Sequence, residues 1–202
     1  MGVNNMAYLD GWKEFCYWIK MNPDAPLPDG VNLSELYRFA ARYRLSYSYQ
    51  GINLQDYPEQ SVEAYGCLLG VFLAYSAFEQ LYKAVGLTQI RGKHIVEEWA
   101  IENESIAEEL RKSHRVIDFL HDKVDTNGLK RRIIEFKLGN NHNILILAQS
   151  IRHLVAHGVM TVHGGNVNSK TSIGFCNILK ENLDNKTQYC FENYVLNPII
   201  VK

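Results

Sequence analysis

The sequence predicts an all-α protein: an antiparallel up-and-down helical bundle of four to five core helices, with extra helices at either end. Three observations carry that expectation. Apolar residues recur at three- and four-residue intervals along most of the chain. Glycines and cap-forming side chains sit where those periodic stretches stop and start. No stretch alternates apolar and polar residues long enough to make a strand, and the β-branched residues within 159–162 are too few to claim one.

The elements follow in order. Residues 8–20 are a first amphipathic segment, and MNPDAPLPDG at 21–30 reads as a surface loop. A second helix begins near Asn32, with Leu33, Leu36, Tyr37 and Ala40 at helical spacing. Poor helix formers and a proline make 46–60 irregular. A long helix starts near Ser61 and ends before Gly86, a residue suited to the left-handed position after a helix. A single helix is expected from Ser105 to Val124. Ser105 and Glu108 would form its capping box and Ile106, Leu110, Ile117, Leu120 and Val124 its apolar stripe; its outer face, with Glu109, Arg111, Lys112 and Arg115, would be solvated. Asp125-Thr126-Asn127-Gly128 marks a turn before a short helix, 129–137, that Gly139 stops. The helix over 143–157, NILILAQSIRHLVAH, is apolar on most of its surface and closes at Gly158, so it must be largely buried. One or two further helices occupy 171–196.

With 202 residues, 47% hydrophobic and 21% charged, the chain can build a core and is read as one helical domain over 1–202. Its formal net charge of −1 excludes a whole-surface attraction for nucleic acid. Any RNA contact must use a local basic patch, or one assembled by two subunits. Cys16, Cys67, Cys176 and Cys190 form no CxxC pair, which fits neither a disulfide framework nor a zinc ribbon and suits a reducing, cytoplasmic setting. The opening MGVNNMAYLDGW shows no basic and apolar regions of a signal peptide. The apolar run over 62–78 falls short of the ~20 residues of a membrane span, carries Glu63 and continues into Glu79, Gln80 and Lys83, so it is expected to be a central core helix.

The chemistry concentrates in IRHLVAHG, residues 151–158. Arg and His are costly to bury unless paired or wet. At a helix C-terminus they meet the negative end of the helix dipole, and Arg152, His153 and His157 would serve there simply as charge complements. The same residues suit another task. At ~100° per residue, Arg152 and His157 lie about 140° apart and flank one edge of the helix end. A guanidinium offers a planar fork of donors to phosphate oxygens, and an imidazole can take or give a proton near neutral pH. Together they are a minimal kit for phosphodiester cleavage without a metal.

Arg152-His153, three residues, then His157 and Gly158, on a late helix of an all-α bundle, resembles the HEPN superfamily (higher eukaryotes and prokaryotes nucleotide-binding domain). That family pairs an Arg, followed by a polar residue, with a His separated from the Arg by four to six residues, and four lie between them here. The resemblance covers about 61–160, leaving 1–60 and 161–202 as N- and C-terminal helical extensions. It implies a metal-independent endoribonuclease, often a toxin or defence effector, working as a homodimer whose two motifs meet across a cleft. His157 would then be the general acid and base for attack of a ribose 2′-OH on the adjacent phosphate. Arg152 would hold the phosphate and stabilise the phosphorane, and His153 would orient the pair or contact RNA. The implied partners are RNA or a nucleotide, a second copy of the chain, and a cognate antitoxin or other regulator; no cofactor and no membrane are implied. Other members are non-catalytic nucleotide-binding or interaction modules. Members often carry an acidic residue on an earlier helix that faces the motif, a place Glu79 would fill by pairing with Arg152 or orienting His157. The simpler expectation for Glu79 is a pair with Lys83 at i,i+4.

Rival chemistries are weaker. His153 and His157 have the HxxxH spacing of a helical metal pair, with His163 and His142 nearby. Leu154 stands where a zinc protease needs Glu, and no third ligand has standard spacing. ARYRLSYSYQ at 41–50 interleaves Arg42 and Arg44 with Tyr43, Tyr47 and Tyr49, a mixture that can stack bases and grip phosphate. The twelve tyrosines can also serve a partner surface or line the core rim. No GxSxG elbow, Walker loop or GxGxxG is present, and Cys67 in its apolar run lacks what activates a thiol.

Overall fold

The computed structural model describes residues 9–87, 100–159 and 167–200. Along them the chain forms α1 (Trp12–Met21), α2 (Leu33–Ser48), α3 (Glu59–Ala84), α4 (Glu104–Arg111), α5 (His114–Lys123), α6 (Asn127–Lys137), α7 (Leu145–Ala156) and α8 (Ser169–Phe191). A π-helical turn (Glu192–Leu196) and α9 (Asn197–Ile200) follow. Among the described residues the only β pairing is an isolated bridge between Glu102 and Asn143, so the protein is all-α. Residues 160–162, which carry most of the β-branched stretch, lie outside the described residues, as does His163.

Helix α3 is the axis of the fold because small and apolar residues fill most of its surface. Ala64, Leu68, Val71, Ala74, Tyr75, Ala77, Phe78 and Leu81 are all buried, and α2, α7 and α8 pack around them. By length and composition α3 is able to cross a membrane; here it is instead wrapped by helices. Helix α2 lies antiparallel to it. The Asn32 N–H donates to the Ala84 carbonyl (2.7 Å), Gln80 Nε2 to Glu35 Oε2 (2.6 Å), and Arg42 Nη1 to Ser76 Oγ (3.2 Å). Helix α8 does not complete an alternation. Cys67 faces Asn177 and Gly70 faces Lys180 near the start of α3, while Phe191 reaches Phe39 in the first half of α2. Thus α8 runs in the same direction as α3. Short connections enforce antiparallel neighbours; α2 and α3 are joined by one, whereas α3 and α8 are separated by four helices. Helices α2 and α8 lie outside 61–160, yet they supply most of the packing against α3.

The helix expected over 105–124 is broken. Asn103, not Ser105, is the N-cap: its Oδ1 accepts the Ile106 N–H at 3.1 Å, which leaves Ser105 inside the first turn. The chain then tightens at 112–113, where Lys112 and Ser113 donate to the carbonyls three residues back (3.2 and 3.0 Å). The reason lies in the core. Helix α4 buries Ala107 and Leu110, whereas α5 buries Val116, Ile117, Phe119 and Leu120. On one straight helix these two faces would point roughly 130° apart at 100° per residue, so the break lets both reach the same core. Arg111 is likewise not simply solvated. Its Nε and Nη2 donate to the Phe136 and Asn141 carbonyls (2.8 and 3.1 Å), and its guanidinium lies over the Phe136 ring. Helix α2 runs to Ser48 and α3 starts at Glu59, so the irregular segment is shorter than 46–60. Tyr37, placed on the apolar face by its spacing, is half exposed, while Leu36 and Ala40 are buried.

Candidate active site

Helix α7 carries the candidate residues, and both of its ends are held. At its start Asn143 is buried, and its Oδ1 accepts the N–H groups of Ile101 (3.2 Å) and Leu145 (3.1 Å). The Ile144 N–H donates to the Ile101 carbonyl (3.0 Å), so the residues before α4 brace the first turn of α7. At its finish Gly158 takes φ +66°, and the Val159 and Gly158 N–H groups donate to the Leu154 (2.9 Å) and Val155 (3.1 Å) carbonyls. This is a Schellman termination, and it places His157 at the exposed C-cap.

Between those ends, Leu145 to Ala148, Ser150, Ile151 and Leu154 are buried, and the polar residues emerge only toward the last turns. Arg152 Nη2 meets Glu79 Oε2 at 3.3 Å; both side chains are 39% exposed. Glu79 therefore partners Arg152, and Lys83 goes instead to Glu35 (3.0 Å). His153 Nε2 meets Asp125 Oδ1 at 2.8 Å, from the loop between α5 and α6. The His153 and His157 rings lie 4.5 Å apart, centroid to centroid, tilted by 53°. Among the described residues no hydrogen bond or ion pair joins Arg152 to His157. The helix end thus presents two separate groups: a guanidinium tethered to a carboxylate, and an imidazole pair steadied through Asp125.

No family model, no curated protein and no solved structure matches this chain.

Each sequence candidate has a definite place. Arg152, His153, His157 and Glu79 converge at one end of α7. His142 is elsewhere, with Nε2 3.0 Å from the Gly139 carbonyl. Among the described residues no group of three or more His, Cys, Asp or Glu side chains is arranged to hold a metal ion. The segment at 41–50 divides. Tyr43 is buried against Phe39, Arg42 is tied to Ser76 on α3, and Arg44 is exposed, so they do not form one continuous stacking strip. Burial pushes the thiols of Cys16 and Cys67 up, and that of Cys190 to about 12, which keeps them protonated and poorly nucleophilic.

The structure adds neighbours that spacing did not single out. Asp125 holds His153. Gln149, one turn before Arg152, accepts from Arg132 Nη1 of α6 at 3.2 Å. Tyr75 of α3, 2% exposed, lies within the fields of Glu79, Arg132 and Arg152. Arg132 had a legible signal, since it interrupts the apolar stripe of Leu129, Ile133 and Phe136. The link between Asp125 and His153 had none, because it joins a loop to a helix through the fold.

Proposed function

We propose that the chain is a HEPN-like, metal-independent endoribonuclease acting as a cytoplasmic homodimer, in a toxin or defence setting. One observation carries the reading: the His153 and His157 imidazoles are in contact at the open end of the buried helix that also carries Arg152, with His157 facing solvent. In the proposed reaction the ribose 2′-oxygen attacks the adjacent phosphorus while an imidazole takes the 2′-OH proton. The bond from phosphorus to the 5′-oxygen breaks, and a second imidazole, the partner's His157, protonates the leaving oxygen. The products are a 2′,3′-cyclic phosphate and a 5′-OH. Arg152 neutralises the phosphorane, worth about 3 kcal/mol for a well-placed donor. His153, steadied by Asp125, orients His157.

Cleavage of total cellular RNA in EDTA is the test. The wild type should generate cyclic-phosphate ends, and His157→Ala should lose at least about a hundredfold in rate, the scale of general acid–base catalysis. No cleavage, or equal cleavage by both, removes the assignment. Sedimentation checks the dimer: a strict monomer leaves a two-motif cleft unbuilt. The second reading, a non-catalytic RNA- or nucleotide-binding module, is favoured by the engagement of Arg152 with Glu79 and by the lack of a direct contact to His157. It expects RNA binding without turnover.

A further inference from the structure

Among the described residues Arg132 is an arginine without a carboxylate in ion-pair contact. Its neighbour Arg131 takes the acid at hand, pairing with Glu135 at 3.6 Å. Among the described residues Arg132 makes no ion pair, and its one hydrogen bond goes to the neutral amide oxygen of Gln149. Burial of a guanidinium without a paired counter-charge is unfavourable, and here burial outweighs the fields of Tyr75 and Glu135 and pulls its pKa below the usual arginine value. Comparison with Arg111 shows what a structural arginine looks like in this fold: two backbone carbonyls accepted and an aromatic ring beneath. Among the described residues Arg132 leaves most of its five N–H donors unused.

Its position gives those donors a target. Gln149 and Arg152 are three residues apart on α7, hence one turn apart on the same side, so Gln149 draws Arg132 to the side of α7 that carries Arg152. Both act on the phenol of Tyr75. That phenol is no counter-ion, because burial raises its pKa far above neutrality. Three guanidinium groups, Arg131, Arg132 and Arg152, share two carboxylates, Glu135 and Glu79, which leaves one positive charge over.

We propose that Arg132 and Arg152 form a two-guanidinium clamp for a phosphodiester group of single-stranded RNA, with Gln149 aiming Arg132 and Glu79 aiming Arg152. A phosphodiester brings one negative charge and two free oxygens, which match the charge left over and two planar guanidinium forks. The clamp rests on the reading of the α7 end as a phosphate-handling site, but not on turnover.

The test separates the two. Binding of a fluorescein-labelled, single-stranded 2′-O-methyl RNA, which lacks the nucleophile and cannot be cleaved, is followed by anisotropy across a salt series. Arg132→Gln should weaken binding by about tenfold to a hundredfold, the range for hydrogen bonds to a charged group. It should also reduce the slope of log affinity against log salt by about 0.7, the loss of one phosphate contact. Arg132→Lys should restore the slope but only part of the affinity, since an ammonium lacks the fork. A second measurement needs no substitution. Inorganic phosphate should protect Arg132 and Arg152 of the native protein from phenylglyoxal, read residue by residue by mass spectrometry, while exposed Arg131 stays reactive. Equal affinity and slope for Arg132→Gln and wild type, failure of the wild type to bind, or no protection of Arg132 overturns the clamp, whatever the cleavage assay gives. Loss of cleavage chemistry with the Arg132 effect intact leaves the clamp standing and removes only the nuclease.

Discussion

Single side chains in this protein are often held by partners far away in the chain. Glu35 is the clearest case. Lys83 Nζ (3.0 Å), Gln80 Nε2 (2.6 Å) and Arg38 Nη1 (2.8 Å) all donate to its carboxylate. The hydrogen bond from Lys83 first, then those of Gln80 and the nearby charges, hold its carboxyl below the ordinary value of 4.5. A carboxylate with a depressed pKa in the folded state contributes stability that is present above the unfolded value and lost as pH falls through the folded one. The melting temperature of the wild type should therefore drop more steeply below pH 4.5 than that of Glu35→Gln. Parallel curves for the two would show that the Glu35 cluster does not couple the α2–α3 pair to pH. Glu79 illustrates the limit of spacing as a guide at this scale. Lys83 is the residue four positions on, but Arg152, 73 positions away, is its partner. Local periodicity exposes i,i+4 neighbours; it carries no information about which helix will lie alongside.

At the scale of the helix, the C-terminal ends marked by glycine were the most legible feature. Gly86, Gly139 and Gly158 each follow a helix with φ of +77°, +81° and +66°, a conformation a side chain disfavours by about 1–2 kcal/mol, so glycine there is a signal with a mechanism. The break at 112–113 was not legible, because the stripe of Leu110, Ile117 and Leu120 reads equally well through a continuous helix. It shows only once Ala107, Val116 and Phe119 are known to be buried too. The motif IRHLVAHG and its helix could be read from the sequence; the brace at the other end of α7 could not, since it depends on residues 100–103 arriving beside Asn143. Asn143→Ala would leave two N–H groups, of Ile101 and Leu145, without their acceptor. At about 1–3 kcal/mol for each buried unpaired group, a loss of about 3 kcal/mol is expected in urea unfolding. A loss under half that would mean water takes the place of the amide, and that α7 does not rely on this brace.

The molecule as a whole is held through its terminal helices. Trp12, Phe15, Phe39 and Phe191 bring α1, α2 and the end of α8 into one aromatic cluster, with Phe191 5.6 Å from Trp12, 6.1 Å from Phe15 and 6.2 Å from Phe39. Phe191→Ala should cost about 3–5 kcal/mol, read as a fall in melting temperature of roughly 10 °C for a chain of this size. A change of only a degree or two would mean that the cluster repacks and that α1 and α8 are joined by other contacts. This cluster was the least legible part of the fold, because it draws on residues 176 positions apart whose segments each read as ordinary amphipathic helices.

The same region has a practical consequence. Gln188 grips both backbone groups of Asp10, accepting from its N–H at 3.0 Å and donating to its carbonyl at 3.1 Å, and the Leu196 side chain lies on Gly11. The residues that lead into α1 therefore meet the last turns of α8 and the turn before α9. A circular permutant, with the old ends joined by a flexible glycine–serine linker and new ends cut into the exposed loop at 21–30, should keep the helical content and melting temperature of the parent within a few degrees. Collapse of such a permutant would mean that the order in which α1 and α8 are made, and not only their meeting, is required for the fold.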